Sequence, residues 1–306
     1  MSASRVGSRV ELKWTTPAKT SDGFLAAGQM TAVVCRVAGA KCLPVSRLQV
    51  RPGSSATEEI LPVELQRDPV GVLSYRVEVL NGAGRSAGLS NEALTASGTA
   101  PEGISRLNAR VTEKGVVLEW GRDGGLSNQV LVSRERQGEG KATKKQAAVT
   151  VAKEEAKNVW LRVDGSVAGM VDGTSKFGET YSYRAVRVRK VQIAGEELEI
   201  RSEESPAVMV SVKDVFPPRV PMGLVVVPVE GGVDLSWEPN TESDLAGYFV
   251  YRREEGAGAV KISEMVRVPG FRDAGAVSGK KYFYSLSAVD LSGNESRRSE
   301  EVLVSE

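Results

Sequence analysis

The segment Gly232-Val233-Asp234-Leu235-Ser236-Trp237 alternates apolar and polar residues and ends on a tryptophan. The same pattern occurs earlier as Arg9-Val10-Glu11-Leu12-Lys13-Trp14 and as Gly115-Val116-Val117-Leu118-Glu119-Trp120. Alternation with a period of two predicts a strand that is buried on one face. The spacing of the tryptophans is close to the length of one β-sandwich domain, roughly 100 residues. The chain is therefore predicted to be a tandem repeat.

Each repeat contains two further matched strands. One follows the tryptophan, at residues 31–36, 129–134 and 247–252, and the other comes late in the repeat, at residues 73–77, 181–185 and 282–286. Gly- and Ser-rich turn residues and a last strand close each repeat, most clearly in the third, where residues 290–296 form a turn. These features predict an all-β protein.

Two proline-containing linkers separate the repeats, at residues 96–101 and 215–218. They predict three tandem immunoglobulin-like β-sandwiches at residues 1–98, 99–214 and 215–306. Proline favours extended and semi-rigid connections. Neighbouring modules are therefore expected to hold a preferred angle.

The third repeat resembles a fibronectin type III domain. The resemblance is carried by Pro217, Pro218, Pro221, Leu224, Trp237, Tyr248, Val250, Gly279, Tyr282 and Tyr284. The phrase at residues 238–248, Glu-Pro-Asn-Thr-Glu-Ser-Asp-Leu-Ala-Gly-Tyr, is similar to the version common in bacterial secreted and envelope proteins.

The resemblance implies roles in the core for the matched aromatic residues. These are Trp14, Trp120, Trp237, Tyr181 and Tyr282. The tryptophans would fill the space between the sheets, and each tyrosine hydroxyl would form a tyrosine corner with backbone upstream. The first repeat has Leu73 at the corner position, so this hydrogen bond is expected to be missing there.

The first repeat is short at its beginning. Only 13 residues precede Trp14, whereas 20 residues lie between Phe216 and Trp237. The first strand of this repeat is therefore expected to be largely missing. The native protein is expected to be longer at its N-terminus and to carry an export or lipoprotein signal, which would make a lipid anchor its contact with a membrane.

Composition excludes several classes of function. The chain has no histidine and two cysteines, which rules out His-dependent catalysis and every His-containing or Cys₄ metal site. The net charge of +1 gives no general attraction to nucleic acid. The acidic loop at residues 238–244 lacks the ligand spacing of a calcium loop and is interpreted as a turn. We predict no enzyme activity, no catalytic residue, no cofactor and no metal.

Cys35 and Cys42 flank a turn-like segment that contains Ala38-Gly39. If the flanking strands pair as a hairpin, the two thiols can form a disulfide, which requires an oxidising compartment. The alternative is two unconnected thiols in a cytosolic protein. The disulfide is the prediction, and it agrees with export.

The second repeat departs most from the pattern, and possible binding residues are placed there. A long insertion contains Lys141, Lys144 and Lys145 and leads to Trp160, and the last hairpin is extended around residues 191–196. Long loops on rigid scaffolds often carry binding residues. The alternative is a longer edge hairpin with Trp160 packed in the core.

The predicted function is a non-catalytic, extracytoplasmic array of modules that acts as a spacer or binds an unidentified protein partner as a monomer. The alternative is an accessory spacer or carbohydrate-binding segment of a secreted polysaccharide-active enzyme. A carbohydrate-binding role would require exposed aromatic residues, and Trp160 is the leading candidate.

Overall fold

The computed structural model describes residues 1–19, 29–137 and 158–304. These residues form strands and turns, with a short 3₁₀ turn at Val63–Gln66 and no α-helix among them. The prediction of an all-β protein is confirmed. The chain divides into two compact units, Met1–Val212 and Lys213–Glu306, which we call unit 1 and unit 2.

Unit 1 begins with a β-sandwich that we call the first sandwich. Its strands are β1 (Ser2–Val6), β2 (Arg9–Thr16), β3 (Met30–Ala38), β4 (Lys41–Val50), β5 (Gly53–Ile60), β6 (Val72–Leu80), β7 (Ser86–Leu89) and β8 (Ala93–Ala96). The order β4-β3-β6-β7, with β8 also paired to β6, forms one sheet, and β1-β2-β5 lie in the other. Val10, Leu12 and Trp14 alternate along β2 and are buried in the core between them, where Tyr75 also packs.

Unit 1 continues with the second sandwich. Its strands are β9 (Leu107–Thr112), β10 (Gly115–Trp120), β11 (Gln129–Arg136), β12 (Asn158–Asp164), β13 (Gly169–Asp172), β14 (Thr180–Ile193), β15 (Glu196–Arg201) and β16 (Val208–Ser211). One sheet has the order β13-β10-β9, and the other contains β12-β11-β14. The long strand β14 pairs with β16 near its start and with β15 near its end. Trp120 is buried in the core with Tyr181 and Tyr183.

Unit 2 contains the third sandwich. Its strands are β17 (Val225–Val229), β18 (Gly232–Ser236), β19 (Leu245–Glu254), β20 (Val260–Lys261), β21 (Gly270–Asp273), β22 (Tyr282–Asp290) and β23 (Val302–Val304). One sheet has the order β17-β18-β21 and the other has the order β20-β19-β22-β23. Trp237 and Tyr248 pack edge to face in the core, with ring centroids 5.1 Å apart. The immunoglobulin-like class implied by the fibronectin type III resemblance is confirmed.

The two sandwiches of unit 1 share one continuous sheet. Strand β15 runs parallel to β1, with Ile200 opposite Arg5 and Arg201 opposite Val6, which gives the order β12-β11-β14-β15-β1-β2-β5. Ile200, Leu198 and the linker residue Ala96 are buried together beside this pairing. The extended last hairpin of the second repeat, which the sequence marked as a place for binding, therefore joins the first two sandwiches.

A salt bridge also closes this junction. The Arg189 guanidinium donates to both carboxylate oxygens of Asp68, at 2.8 and 3.1 Å, and to the carbonyl of Thr99 at 3.0 Å. Arg9 pairs with Glu203 across the same junction. The preferred angle expected from the proline linker is thus supported in unit 1 by backbone pairing, apolar packing and charge.

The prediction that the first strand is largely missing is wrong. Strand β1 has five residues and pairs along its whole length with β2, from Ser2 opposite Lys13 to Val6 opposite Arg9. In the third repeat, the longer spacing before the tryptophan comes from a proline-rich segment that precedes β17 and is not part of the strand. Strand β17 itself has five residues as well.

The described residues form three large hydrophobic cores, one in each sandwich. Two of these cores lie within unit 1, because the continuous sheet makes their sandwiches a single compact body. The module boundaries at residues 98 and 214 therefore remain a prediction.

Candidate functional site

The tryptophans identified from the sequence lie in the cores. Trp14, Trp120 and Trp237 are all buried. The indole Nε1 of Trp120 donates a hydrogen bond to the carbonyl of Val167 at 3.2 Å. These residues stabilise the sandwiches and present no surface for a ligand.

The predicted tyrosine corners are present in the second and third sandwiches. The hydroxyl of Tyr181 accepts a hydrogen bond from the backbone N–H of Lys176 at 3.2 Å, and that of Tyr282 accepts one from Val277 at 3.3 Å. Leu73 occupies the equivalent place in the first sandwich and is buried. Its side chain has no hydroxyl, so the corner hydrogen bond is missing there, as expected.

A buried network of arginine, carboxylate and tyrosine recurs at the same place in each sandwich. In the second sandwich the Arg134 guanidinium pairs with Asp172 at 2.9 Å, and the Tyr183 hydroxyl donates to the same carboxylate at 2.9 Å. In the third sandwich Arg252 pairs with Asp273 at 2.8 Å, and Tyr284 donates to it at 2.8 Å. Sequence analysis did not identify this network.

The first sandwich has a related network with glutamate in place of aspartate. The Tyr75 hydroxyl donates to Glu59, whose carboxylate lies 3.0 Å from the Arg36 guanidinium. This ion pair has no well-aligned hydrogen bond. The signal was present in the sequence, because each matched segment that follows a tryptophan ends on arginine, at residues 36, 134 and 252.

The networks are structural and depend on the ionisation state of the carboxylate. Burial alone would raise the pKa of Asp172, but hydrogen bonds from Thr174, Tyr183 and Arg134 outweigh it and hold the pKa below its ordinary value. Burial, together with the carboxylate that each tyrosine meets, raises the pKa of Tyr75, Tyr183 and Tyr284. A phenol that stays protonated beside a carboxylate is a hydrogen-bond donor and cannot serve as a base at neutral pH.

The raised pKa values of these tyrosines predict a loss of stability at high pH. Unfolded tyrosines lose their protons near pH 10, whereas the folded ones keep them because their pKa values are raised. The unfolded state then binds fewer protons, so the free energy of unfolding falls as pH rises above about 10, by up to about 1.4 kcal/mol per pH unit for each tyrosine. Urea denaturation between pH 8 and 11 measures this slope.

The matched variant for the alkaline slope is Tyr183→Phe, which removes one titrating phenol from the buried network. We expect a shallower slope for unit 1 above pH 10. An unchanged slope in this variant would contradict a contribution from Tyr183.

Cys35 and Cys42 form the predicted disulfide. They lie on the hairpin of β3 and β4, whose turn is Gly39-Ala40, and their Cα atoms are 5.4 Å apart. Cys35 lies opposite Pro44 and Cys42 lies opposite Val37, so the bond runs diagonally across the hairpin. The register shifts between Val34 and Cys35.

Reduction of this disulfide is expected to lower the free energy of unfolding of unit 1. The bridge joins residues seven apart in sequence, and a loop this short gives roughly 2–3 kcal/mol in the chain-entropy account. Denaturation with and without a reductant measures the effect. The double variant Cys35→Ala, Cys42→Ala should have the stability of the reduced protein and should not respond to the reductant.

Trp160 lies on the surface and not in the core. Its side chain is 51% exposed on β12, whereas Leu161 and Val163 on the same strand pack against the second core. Of the two interpretations left open by the sequence, the structure shows the exposed one. The possible binding residues Lys141, Lys144 and Lys145 lie outside the described residues.

Trp160 opens onto a cavity within unit 1 that we call the Trp160 groove. Its volume is about 450 Å³. The second sandwich contributes Trp160, Leu131 and Val186, and the first sandwich contributes Val6, Arg9 and Glu11. The connection after β15 adds Glu203 and Glu204. The groove exists because β15 and β1 hold the two sandwiches side by side.

An acidic cluster lies in unit 2. Asp214, Asp244 and Asp290 place carboxylate oxygens within 4.8 Å of one another. Asp290 accepts two hydrogen bonds from Asn294, and Asp214 accepts one from Ser292. Asp244 belongs to the loop that was interpreted as a turn, and in that loop the backbone N–H of Leu245 donates to the carbonyl of Glu242 at 3.3 Å.

In the described part of the chain, no helix has the length and apolar character needed to cross a membrane.

No family model matches the chain. A segment of 89 residues is 43% identical to an amylopullulanase of Thermoanaerobacterium saccharolyticum, and covers 28% of this chain and 7% of that enzyme. A segment of 86 residues is 43% identical to an amylopullulanase of Thermoanaerobacterium thermosulfurigenes, and covers 28% of this chain and 4% of that enzyme. The matched segment is thus less than a tenth of either curated relative.

Solved structures with fibronectin type III domains align with the chain. A Fn3-like protein from Clostridium thermocellum is 27% identical, with 29% of this chain and 92% of that chain covered and a TM-score of 0.26. A segment of two fibronectin type III domains from chicken tenascin is 14% identical, with 68% and 99% covered and a TM-score of 0.40. Because these TM-scores are low, the fold is assigned from the strand order and the hydrophobic cores described above and not from these alignments.

The segment similar to amylopullulanases is a small fraction of those enzymes, so their activity is not assigned to this chain. The buried carboxylates of the recurring networks are paired with arginine and tyrosine, which is a structural arrangement.

Proposed function

We propose that this chain of fibronectin type III-like sandwiches is a rigid, extracellular spacer within a polysaccharide-active protein. The observation that carries the spacer role is the parallel pairing of β15 with β1, which makes the first two sandwiches one body. A flexible tether would need a solvated linker between them, whereas here Ala96 and Ala100 of the linker pack with Leu198 and Ile200.

The similarity to amylopullulanase segments supports the polysaccharide-active context. The Cys35–Cys42 disulfide supports an oxidising, extracellular location, since such bonds persist mainly outside the cytosol. The bacterial envelope, the lipid anchor and the monomeric state expected from the sequence remain predictions.

A distance measurement between spin labels tests rigidity in the intact chain. Arg51 of the first sandwich and Arg122 of the second are exposed and accept labelled cysteines, while Cys35 and Cys42 are held in the disulfide. We expect one narrow distance distribution. A broad distribution would contradict the spacer role.

The matched variant for this measurement is Arg189→Ala. It removes the salt bridge to Asp68 and the hydrogen bond to Thr99, and it leaves both hydrophobic cores untouched. We expect the distribution to broaden, because charge and packing both hold the junction.

A second candidate function is the binding of a protein partner by strand addition at β12. In the described residues β12 pairs with β11 on one side, and edge strands of this kind accept a further strand. The test is whether the chain captures one defined protein from culture supernatant and loses it when β12 is altered. That result would favour this candidate over the polysaccharide-linked spacer.

A further inference from the structure

The outward face of the second sandwich carries an unusual apolar patch. Leu131 and Val186 are buried with Val188 on the face of β11 and β14 that points away from the main core. Outward residues of such a sheet are ordinarily polar. Of these side chains, Leu131 and Val186 form the apolar floor of the Trp160 groove.

Trp160 forms an aromatic wall at the side of this floor. The register places it opposite Ser133 on β11, next to the pair formed by Leu131 and Arg162. Its half-exposed ring keeps a face open to solvent, although burying an indole is strongly favourable. An aromatic ring left open beside an apolar floor is typical of a site that receives a ligand with an apolar face.

Charged side chains line the other side of the groove and lie close to one another. Arg9 pairs with Glu203 and lies 3.5 Å from a carboxylate oxygen of Glu11. Glu204 lies 4.0 Å from Arg184. A carboxylate has several acceptor positions, so each of these groups can still accept hydrogen bonds from a ligand while paired with arginine.

This combination matches the chemistry of a sugar ring. A pyranose has an apolar C–H face that stacks on an aromatic ring and a rim of hydroxyl groups that donate to carboxylates and accept from guanidinium groups. The groove volume of about 450 Å³ lies within the range of small-ligand sites, roughly 300–1,000 Å³. Mixed charges on the rim do not favour a strongly anionic or cationic ligand.

We propose that the Trp160 groove binds a neutral polysaccharide chain, with Trp160 stacking on a sugar ring and Glu11, Glu203 and Glu204 accepting its hydroxyl hydrogen bonds. The inference rests on the proposed function for its class of ligand. The site requires both sandwiches, because neither the Trp160 wall nor the Arg9 and Glu11 side would form a groove alone.

Affinity gel electrophoresis of the full chain tests the proposal. The probes are soluble amylopectin, pullulan and xylan, each cast into a native gel. We expect retardation of the unaltered chain by at least one of these polysaccharides. We expect Trp160→Ala to weaken binding by about tenfold or more, and Trp160→Phe to retain part of it, because phenylalanine keeps an aromatic face.

Two further variants separate binding from folding. Phe177→Ala removes another exposed aromatic residue of the second sandwich that does not line the groove, and it should bind like the unaltered chain. Glu204→Gln keeps the shape of an exposed rim residue, and it should weaken binding without a change in the thermal midpoint.

The proposal is overturned if none of the three polysaccharides retards the unaltered chain, or if Trp160→Ala and Phe177→Ala bind equally well. Neither result touches the spacer role, which the spin-label distances test separately. A narrow distance distribution without polysaccharide binding would thus support the spacer role and contradict the proposed binding site.

Discussion

Replacement of Asp172 by alanine is expected to lower the free energy of unfolding of unit 1 by about 3–5 kcal/mol. Asp172 is buried and pairs with Arg134 at 2.9 Å, while Tyr183 and Thr174 donate to the same carboxylate. The variant removes the charged partner of the Arg134 guanidinium and the acceptor of the Tyr183 hydroxyl at a buried position. Urea denaturation, combined with hydrogen exchange at β11 and β14, measures the loss and assigns it to the second sandwich.

The matched control for Asp172→Ala is Glu179→Ala. Glu179 accepts from the partly exposed Arg136 at 2.6 Å on the same sandwich, and exposed pairs contribute about 0–1 kcal/mol. Similar losses in the two variants would contradict a special contribution from the buried network. The double variant Asp172→Ala, Arg134→Met should recover part of the stability, because it removes the unpaired charge as well.

The second large effect is expected at the junction of the first two sandwiches. Ile200→Ala should lower the free energy of unfolding of unit 1 by about 2–5 kcal/mol, the range for truncating a buried isoleucine. Ile200 is fully buried, lies opposite Arg5 across the parallel pairing, and packs with Leu198 and Ala96. We also expect the spin-label distance distribution between the two sandwiches to broaden.

The control for Ile200→Ala is Ile60→Ala. Ile60 lies at the end of β5 in the same continuous sheet and is 66% exposed, so the same atoms are removed from a side chain that is mostly in water. Its stability should change by less than about 1 kcal/mol. Equal losses at both positions would show that burial at the junction does not matter.

The strands and their buried faces were predictable from the sequence because they depend on the local alternation of apolar and polar residues. Val10, Leu12 and Trp14 alternate with polar residues, and each is buried on β2 as this pattern requires. The exposure of Trp160 was predictable for the same reason, since Leu161 and Val163 on either side of Arg162 point inward. Had β12 been recognised as a strand, its period alone would have placed Trp160 on the outer face.

The junction and the recurring networks were not predicted because they depend on contacts between distant parts of the chain. Nothing in residues 196–201 indicates that this strand adds to the edge of a strand near residue 5. The pairing is a property of two surfaces that meet only after folding. The carboxylates Glu59, Asp172 and Asp273 lie on strands outside the three repeated segments. Their pairing with arginine is therefore not apparent from the repeats.

The parallel pairing of β1 with β15 also limits how the gene for this protein can be cut and recombined. A fragment ending at residue 98 would keep β1 but lose β15, so backbone groups of Arg5 and Val6 would face water as an unprotected sheet edge. Such edges promote association between chains. A cut at Val212 would therefore keep β1 paired with β15, whereas a cut at the linker between the first two sandwiches would separate the two strands.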